Sequence, residues 1–226
     1  DLTVSITASA NFTAVGNLVF RTVMVEREIS FDEAPGTNGE KFFEDVAVKS
    51  FPDIQNGTPL PTSWVNSQNV TFTLNCPLPS YIRDKAQVAF VGFIQDDGDR
   101  KVAQTVRADV DPLTNDAKAI TAKIAPISCS TSVTPEIVVK NAGTNAITAL
   151  TITPFLDGAQ QADVYWTGSL AIGATATIAL NPVSPSVPGG HQMTFDISGV
   201  SGGDANILNN GTEQGFYLAN SFPAGV

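Results

Sequence analysis

The stretch Cys129-Ser-Thr-Ser-Val-Thr-Pro-Glu-Ile-Val-Val-Lys-Asn-Ala-Gly-Thr-Asn145 runs into Ala146–Gly158 and then Tyr165-Trp166-Thr-Gly-Ser-Leu-Ala-Ile-Gly173. Val133, Pro135, Ile137 and Val139 recur at every second position. Beyond the turn-prone Asn141-Ala142-Gly143, the residues Leu150, Ile152 and Leu156 again share one parity. Side chains of an extended chain alternate between faces, so each run gathers its apolar groups on one side. That is how antiparallel strands are written when one face meets a core and the other meets water.

The same pattern fills the N-terminal half. Leu2 to Ala10 alternates, with Thr3, Ser5, Thr7 and Ser9 on the wet face. Leu18 to Ile29 is apolar on both faces, as is Gln87 to Gln95, so both are expected to be central strands. Asn69 to Cys76 alternates cleanly, with Val70, Phe72, Leu74 and Cys76 inward. Asp96-Asp97-Gly98-Asp99 is a hairpin turn signal, and Lys101 to Val110 is its returning strand. Phe31–Glu40 and Pro52–Gln68 read as loops, while Lys41–Phe51 reads as a short helix passing into a strand.

Asp111 to Lys118 is polar, carries Pro112 and reads as a linker. After it come strands at Ile120–Ile124, Thr134–Lys140, Ile147–Leu156, Asp163–Thr167 and Thr175–Leu180. A Pro-rich loop, Asn181–Gly190, precedes two more, Gln192–Val200 and Gln214–Leu218. Short strands divided by Gly, Pro and Asn turns, without an amphipathic helix, make an all-β chain: two tandem immunoglobulin-like β-sandwich domains, 1–112 and 113–226. Trp166, within Val164-Tyr165-Trp166, is the expected large central side chain of the second.

Composition narrows function by exclusion. The 226 residues hold 12 Lys+Arg against 22 Asp+Glu, a net charge of −10, with no basic cluster. Neutralising phosphates needs such a cluster, so no nucleic-acid partner is expected, and anionic lipid is disfavoured for the same reason. No apolar run reaches the roughly 20 residues of a spanning helix. Asp1 leads straight into a strand pattern without an initiator Met, which reads as a chain preceded by another domain in its precursor. Low charge with abundant Thr, Ser, Asn and Gly suits an exported β protein. Cys76 and Cys129 are too few for a thiolate zinc site and too far apart for a redox pair, and the expectation is two free thiols.

Two resemblances sit on these residues. Pro135 to Thr144, Leu156-Asp157-Gly158, Trp166-x-Gly168-x-Leu170 and Asp204-x-Asn206-x-x-Asn209-Asn210 resemble the cell-adhesion-related (CARDB-like) sandwiches of bacterial surface proteins, over residues 115 to 226. Val25-Glu26, Phe43 to Lys49, Gly57, Trp64, Phe90 to Asp96 and Val102-x-Gln104 resemble the C-terminal module of the outer-membrane-protein-28-related proteins of Bacteroidota. Members of that group usually carry a thioredoxin-like domain ahead of this module. This chain departs from them in having Phe43-Glu44-Asp45 and Lys49 where a His-Asn-type stretch is usual. The resemblance implies export and a secreted or cell-surface, outer-membrane-associated life.

Candidate chemistry is sparse. His191, in Pro188-Gly189-Gly190-His191, is the only histidine, and no Gly-x-Ser-x-Gly elbow accompanies it. It reads as a loop-end residue leading into a strand. Asp96, Asp97 and Asp99, and Asp204, Asn206, Asn209 and Asn210, offer the oxygen donors that calcium takes, without EF-hand spacing. Asx turns gather the same residues for backbone reasons. Of the aromatics, Trp64 lies in a loop with Pro59 and Pro61 and is the sugar-stacking candidate; Tyr165 and Trp166 sit in a strand. The triplets beginning at Asn11, Asn56, Asn69 and Asn210 would be glycosylated only in a eukaryotic secretory route. No catalytic set and no cofactor site is expected. The expected function is a non-catalytic adhesion, spacer or interaction module with a protein or glycan partner. The alternative is a carbohydrate-binding accessory module of a polysaccharide-degrading system.

Overall fold

The computed structural model describes residues 1–31 and 34–219; Asp32, Glu33 and residues 220–226 lie outside it. The chain is all-β and divides into two units, Asp1–Asp111 and Pro112–Val226. The longer strands of the first unit are β1 (Leu2–Thr7), β2 (Leu18–Ser30), β3 (Phe42–Phe51), β4 (Asn69–Leu74), β5 (Val88–Asp96) and β6 (Val102–Asp109). Those of the second are β7 (Ala117–Lys123), β8 (Glu136–Asn141), β9 (Ile147–Leu156), β10 (Val164–Leu170), β11 (Thr175–Ala179), β12 (Gly189–Ser198) and β13 (Gly211–Leu218). Among the described residues no helix is long and apolar enough to cross a membrane.

In the first unit one layer has the order β3-β2-β5-β6, all antiparallel. The β2 strand is buried on both faces over Leu18–Thr22, as its doubly apolar sequence requires. The facing layer is narrow: β1 paired with β4, from Leu2 opposite Leu74 to Thr7 opposite Asn69, flanked by the short pair Phe12–Thr13 with Ser63–Trp64. Leu18, Phe20, Leu60 and Trp64 meet Val4, Ile6, Val70 and Phe72 between the layers, with Phe20 edge-on to Phe72 at 5.6 Å. A second cluster gathers Met24, Phe51, Cys76, Ile82 and Val88.

Residues Lys41–Phe51 form a strand and not the expected helix-to-strand passage. The half-buried side of β3 changes from Phe43 to Val46, Val48 and Ser50 across Asp45, whose φ is +48°. That switch breaks period two locally and leaves Phe42 and Val46 at helical spacing. The expected linker is also shorter than its composition suggests: Asp116 and Ala117 are fully buried, and β7 begins at Ala117.

The second unit stacks a three-stranded sheet, β7-β8-β11, on a larger one in which β13, β12, β9 and β10 follow one another. Ile127–Ser128 runs parallel to β13 at its edge, and Ala159–Gln160 pairs with the end of β9. The core is Val133, Ile137, Val139, Ile147, Leu150, Ile152, Met193, Phe195, Ile197 and Phe216. Period two in β8, β9 and β12 supplies it. Phe195, at 0% exposure, is the large central side chain. Trp166 is half-buried at the margin, its indole lying over Gly168, where a Cβ would stand 2.6 Å from Cζ2.

Truncating a fully buried aromatic removes its transfer free energy and leaves a cavity. Phe195→Ala is therefore expected to cost the second unit about 3–5 kcal/mol in urea unfolding, and Trp166→Ala distinctly less. Equal losses would place both rings in the same environment.

Candidate functional site

The β5–β6 turn holds the first set of carboxylates. Asp96 is buried, and its carboxylate accepts the backbone N–H groups of Val15, of Gly16 at 2.9 Å and of Gly98 at 2.8 Å. The two chains approach so closely that a Cβ on Gly16 would lie 2.5 Å from Gly98 N, so both positions need glycine. Asp97 takes both ends of the buried Arg21 guanidinium, at 3.0 and 3.1 Å, which holds its carboxyl below the usual range. Arg21 also donates to the carbonyls of Ile54 and Gln55. Asp99 lies 2.7 Å from Lys101 Nζ, and that hydrogen bond lowers its pKa. These three calcium candidates each have a protein partner and do not converge.

Asp204 and Asn206 belong to a network at the start of β7 whose centre the sequence did not reveal. Asp116 is fully buried and accepts Asn206 Nδ2 at 3.3 Å and Asn209 Nδ2 at 3.1 Å. Asp204 accepts the N–H groups of Ala117 and Asn206. Asn210 donates to the Ile197 carbonyl at 2.9 Å. The network ties the residue 200–210 loop to the first strand of the unit. Among the described residues no group of three or more His, Cys, Asp or Glu side chains is placed to hold a metal ion.

His191 lies inside β12. Its Nδ1 stands 2.7 Å from Asp157 Oδ2, its Nε2 2.9 Å from the Val187 carbonyl, and its ring 5.5 Å from that of Phe216. Both neighbours are acceptors, so the doubly protonated imidazolium suits the site best. The hydrogen bond to Asp157 accordingly raises the histidine pKa, with the Val187 carbonyl adding to it. Asp157 is held low, first by the Gln192 N–H and then by His191.

Trp64 does not offer a ring to a sugar. It is 6% exposed, packs with Leu18, Phe20 and Leu60, and donates Nε1–H to the Pro61 carbonyl at 2.7 Å. The most exposed aromatic among the described residues is Tyr165, at 76%, on the outer face of the large sheet beside Thr151 and, across β9, Ser198. Cys76 is buried, which raises its thiol pKa, and Cys129 is exposed.

The most distinctive surface lies on one side of the first unit, and no motif marks it. The β1 strand pairs only with β4, and β6 only with β5, among the described residues. Between β1 and the β5–β6 hairpin opens a cleft of about 640 Å³. Val4, Ile6 and Phe12 line one wall; Ile94, Gln104 and Val106 line the other, with Phe20 and Trp64 at the base. The register places Val106 opposite Gly92, whose Cβ position faces the Phe20 ring, so Gln104, Val106 and Ala108 face inward. Yet Val106 is 55% exposed; Val102 lies beyond the register shift, opposite Gln95, and faces the other way. In a chain with net charge −10, no charged residue among those described lines the cleft.

No family model and no curated protein matches the chain. Among solved structures it is similar to the CARDB domain of a Pyrococcus furiosus protein, crystallised with di-metal ions. The identity is 16%, over 50% of this chain and 95% of that one, with a TM-score of 0.40. The solution NMR structure of the same domain gives 16% identity over 47% of this chain and 97% of that one, TM-score 0.39. The chain is also similar to red sea bream transglutaminase, at 9% identity over 97% of this chain and 31% of that one, TM-score 0.38.

Two predictions follow from the polar contacts. Asp96→Ala leaves buried N–H groups without their acceptor and is expected to destabilise the first unit by about 1.5–3 kcal/mol, read from urea unfolding. A pH dependence belongs to His191. Its folded pKa is raised, so its contribution is complete below the unfolded value near 6.5 and is lost as pH climbs through the folded value. The Asp157 contribution has the opposite sense: it is present above about 3.9 and is lost as pH falls through its lowered folded value. The melting temperature of the parent should exceed that of His191→Phe by more at about pH 5.5 than at about pH 9. An equal difference at both would show that the ring contributes by packing alone.

Proposed function

We propose that this chain is a non-catalytic interaction module of a bacterial protein that works outside the cell, serving adhesion, spacing or docking. The observation that carries the reading is the uncovered side of the first unit: two strand edges that are unpaired among the described residues, a largely apolar cleft without charged lining there, and the half-exposed Val106 on an inward-turned face. Unpaired edges are templates for another strand, and folded proteins usually blunt them with charge, proline or a covering element. An exported, surface-associated setting suits the Thr-, Ser- and Asn-rich composition and the family resemblances. The polar clusters have structural work: His191 spends both ring nitrogens on protein acceptors, and Asp96 and Asp116 fix backbone and loop. A carbohydrate-binding role is the second reading, favoured by Tyr165 on its open sheet face. Aromatic faces suit the apolar faces of pyranose rings.

Beads carrying the chain can be passed over surfaces coated with an unfolded carrier polypeptide or with polysaccharide. Retention on the polypeptide should fall several-fold with Val106→Lys, and retention unchanged by that substitution contradicts the reading. Retention on polysaccharide alone, abolished by Tyr165→Ala, would establish the second reading instead.

A further inference from the structure

The β3-β2-β5-β6 layer has a second face, turned away from the cleft. Arg21 stands there opposite Phe93, and Gln95 follows at the same parity on β5. With Gln55, Asp97 and Arg100 these side chains line a concave pocket of about 620 Å³. The Arg21 guanidinium is fixed in its wall. It donates to the Ile54 and Gln55 carbonyls, to Gln95 Oε1 at 3.2 Å and to both oxygens of Asp97. Its side chain is 8% exposed, whereas that of Asp97 is 39% exposed. A buried cation with all five donors engaged therefore holds an open carboxylate in one orientation.

Several polar groups of this pocket still have capacity. Each Asp97 oxygen keeps a lone pair beyond the one it offers Arg21. Gln95 gives one Nε2 hydrogen to the Arg100 carbonyl at 3.0 Å and keeps the other. The side chains of Gln55 and Arg100 make no hydrogen bond or ion pair among the described residues. Arg100 has a φ of +61°, in the region that ordinarily goes to Gly or Asn, so the turn carries a long cation where its backbone alone would favour glycine. Asp97 already balances Arg21, which leaves the Arg100 charge unmatched in a chain of net charge −10. Phe93, half-buried, supplies the apolar surface.

Each of these features selects part of a ligand. An unmatched guanidinium calls for a carboxylate, fixed carboxylate and amide groups call for hydroxyls, and a ring calls for an apolar face. We propose that the pocket binds a sugar acid, a pyranose bearing a carboxylate. The carboxylate meets Arg100, ring hydroxyls donate to Asp97 and accept from Gln55 and Gln95, and the apolar ring face lies against Phe93. A neutral sugar leaves Arg100 unmatched, and a simple carboxylate leaves Asp97 and Phe93 without a contact. The volume lies within the roughly 300–1,000 Å³ usual for small-ligand sites. This site goes beyond the interaction reading: it lies on the opposite face of the layer from Val106.

Nuclear magnetic resonance titration of the whole, nitrogen-15-labelled chain tests it, with glucuronate, galacturonate, glucose and acetate as separate probes at constant ionic strength. At least one of the two uronates should saturably shift the side-chain amides of Gln55 and Gln95. Glucose and acetate should bind at least roughly tenfold more weakly, each lacking one charge-assisted or several neutral contacts. Arg100→Gly should weaken the uronate by a similar factor without lowering the melting temperature, because glycine takes that φ freely. Uronates that leave both amides unmoved at tens of millimolar overturn the proposal. So does glucose or acetate binding as tightly as a uronate, or an Arg100→Gly chain that binds like the parent. Val106→Lys should leave the titration unchanged, so failure here removes the sugar-acid site alone, while failure of the bead assay removes the cleft reading alone.

Discussion

Neighbouring strands lie about 4.8 Å apart, so a two-stranded layer spans roughly half the width of a four-stranded one. The first unit is built under that constraint. The β1–β4 pair covers β2 and part of β5, where Phe20, Phe72, Val4 and Ile6 meet, and leaves the inner face of β6 without a cover. Everything distinctive about this unit follows from the shortfall. The cleft, the half-exposed Val106 and the two edges unpaired among the described residues are one feature seen from three sides. The second unit shows what full cover produces: its facing sheets bury Ile137, Ile152, Met193 and Phe195 completely.

Buried acids hold the loops around these sheets. Asp96 fastens the Val15–Gly16 turn to the β5–β6 hairpin, and so helps set one end of the open cleft. Glu26, 2% exposed on β2, accepts the N–H groups of Arg83 and Asp84 and fixes the segment entering β5. Asp116 does the same for the loop before β13. In each case a carboxylate replaces the water that backbone or amide donors would otherwise lose on burial, which is how a buried charge becomes affordable. The acidic clusters of this chain are explained by architecture before any ligand is invoked.

Much of the fold was legible because half-buried sheets write themselves in period two. Ile137 and Val139, Leu150 and Ile152, and Val70 and Phe72 all lie on the face their parity assigns. The doubly apolar Leu18–Ile29 and Gln87–Gln95 are indeed flanked on both sides. What failed depended on tertiary context. The positive φ of Asp45 imitated helical spacing, Asp116 was hidden in a polar stretch read as linker, and Trp64 was turned inward by its own loop. Phe195, and not Trp166, fills the centre of the second unit because β12 lies between β9 and β13, whereas β10 lies at the margin. The candidate site was not legible at all. An absent neighbour leaves no mark in a sequence, and Val102 to Val106 reads like any strand that has one.

Hydrogen exchange followed by mass spectrometry on dilute protein tests most directly whether this side of the first unit is open. Exchange protection follows local hydrogen bonding and burial. Peptides covering β1 and β6 should exchange far faster than those covering β2 and β5, although all four strands belong to one unit. Uniform protection across the four would contradict the account, because it would mean that the edge has a cover within the single chain.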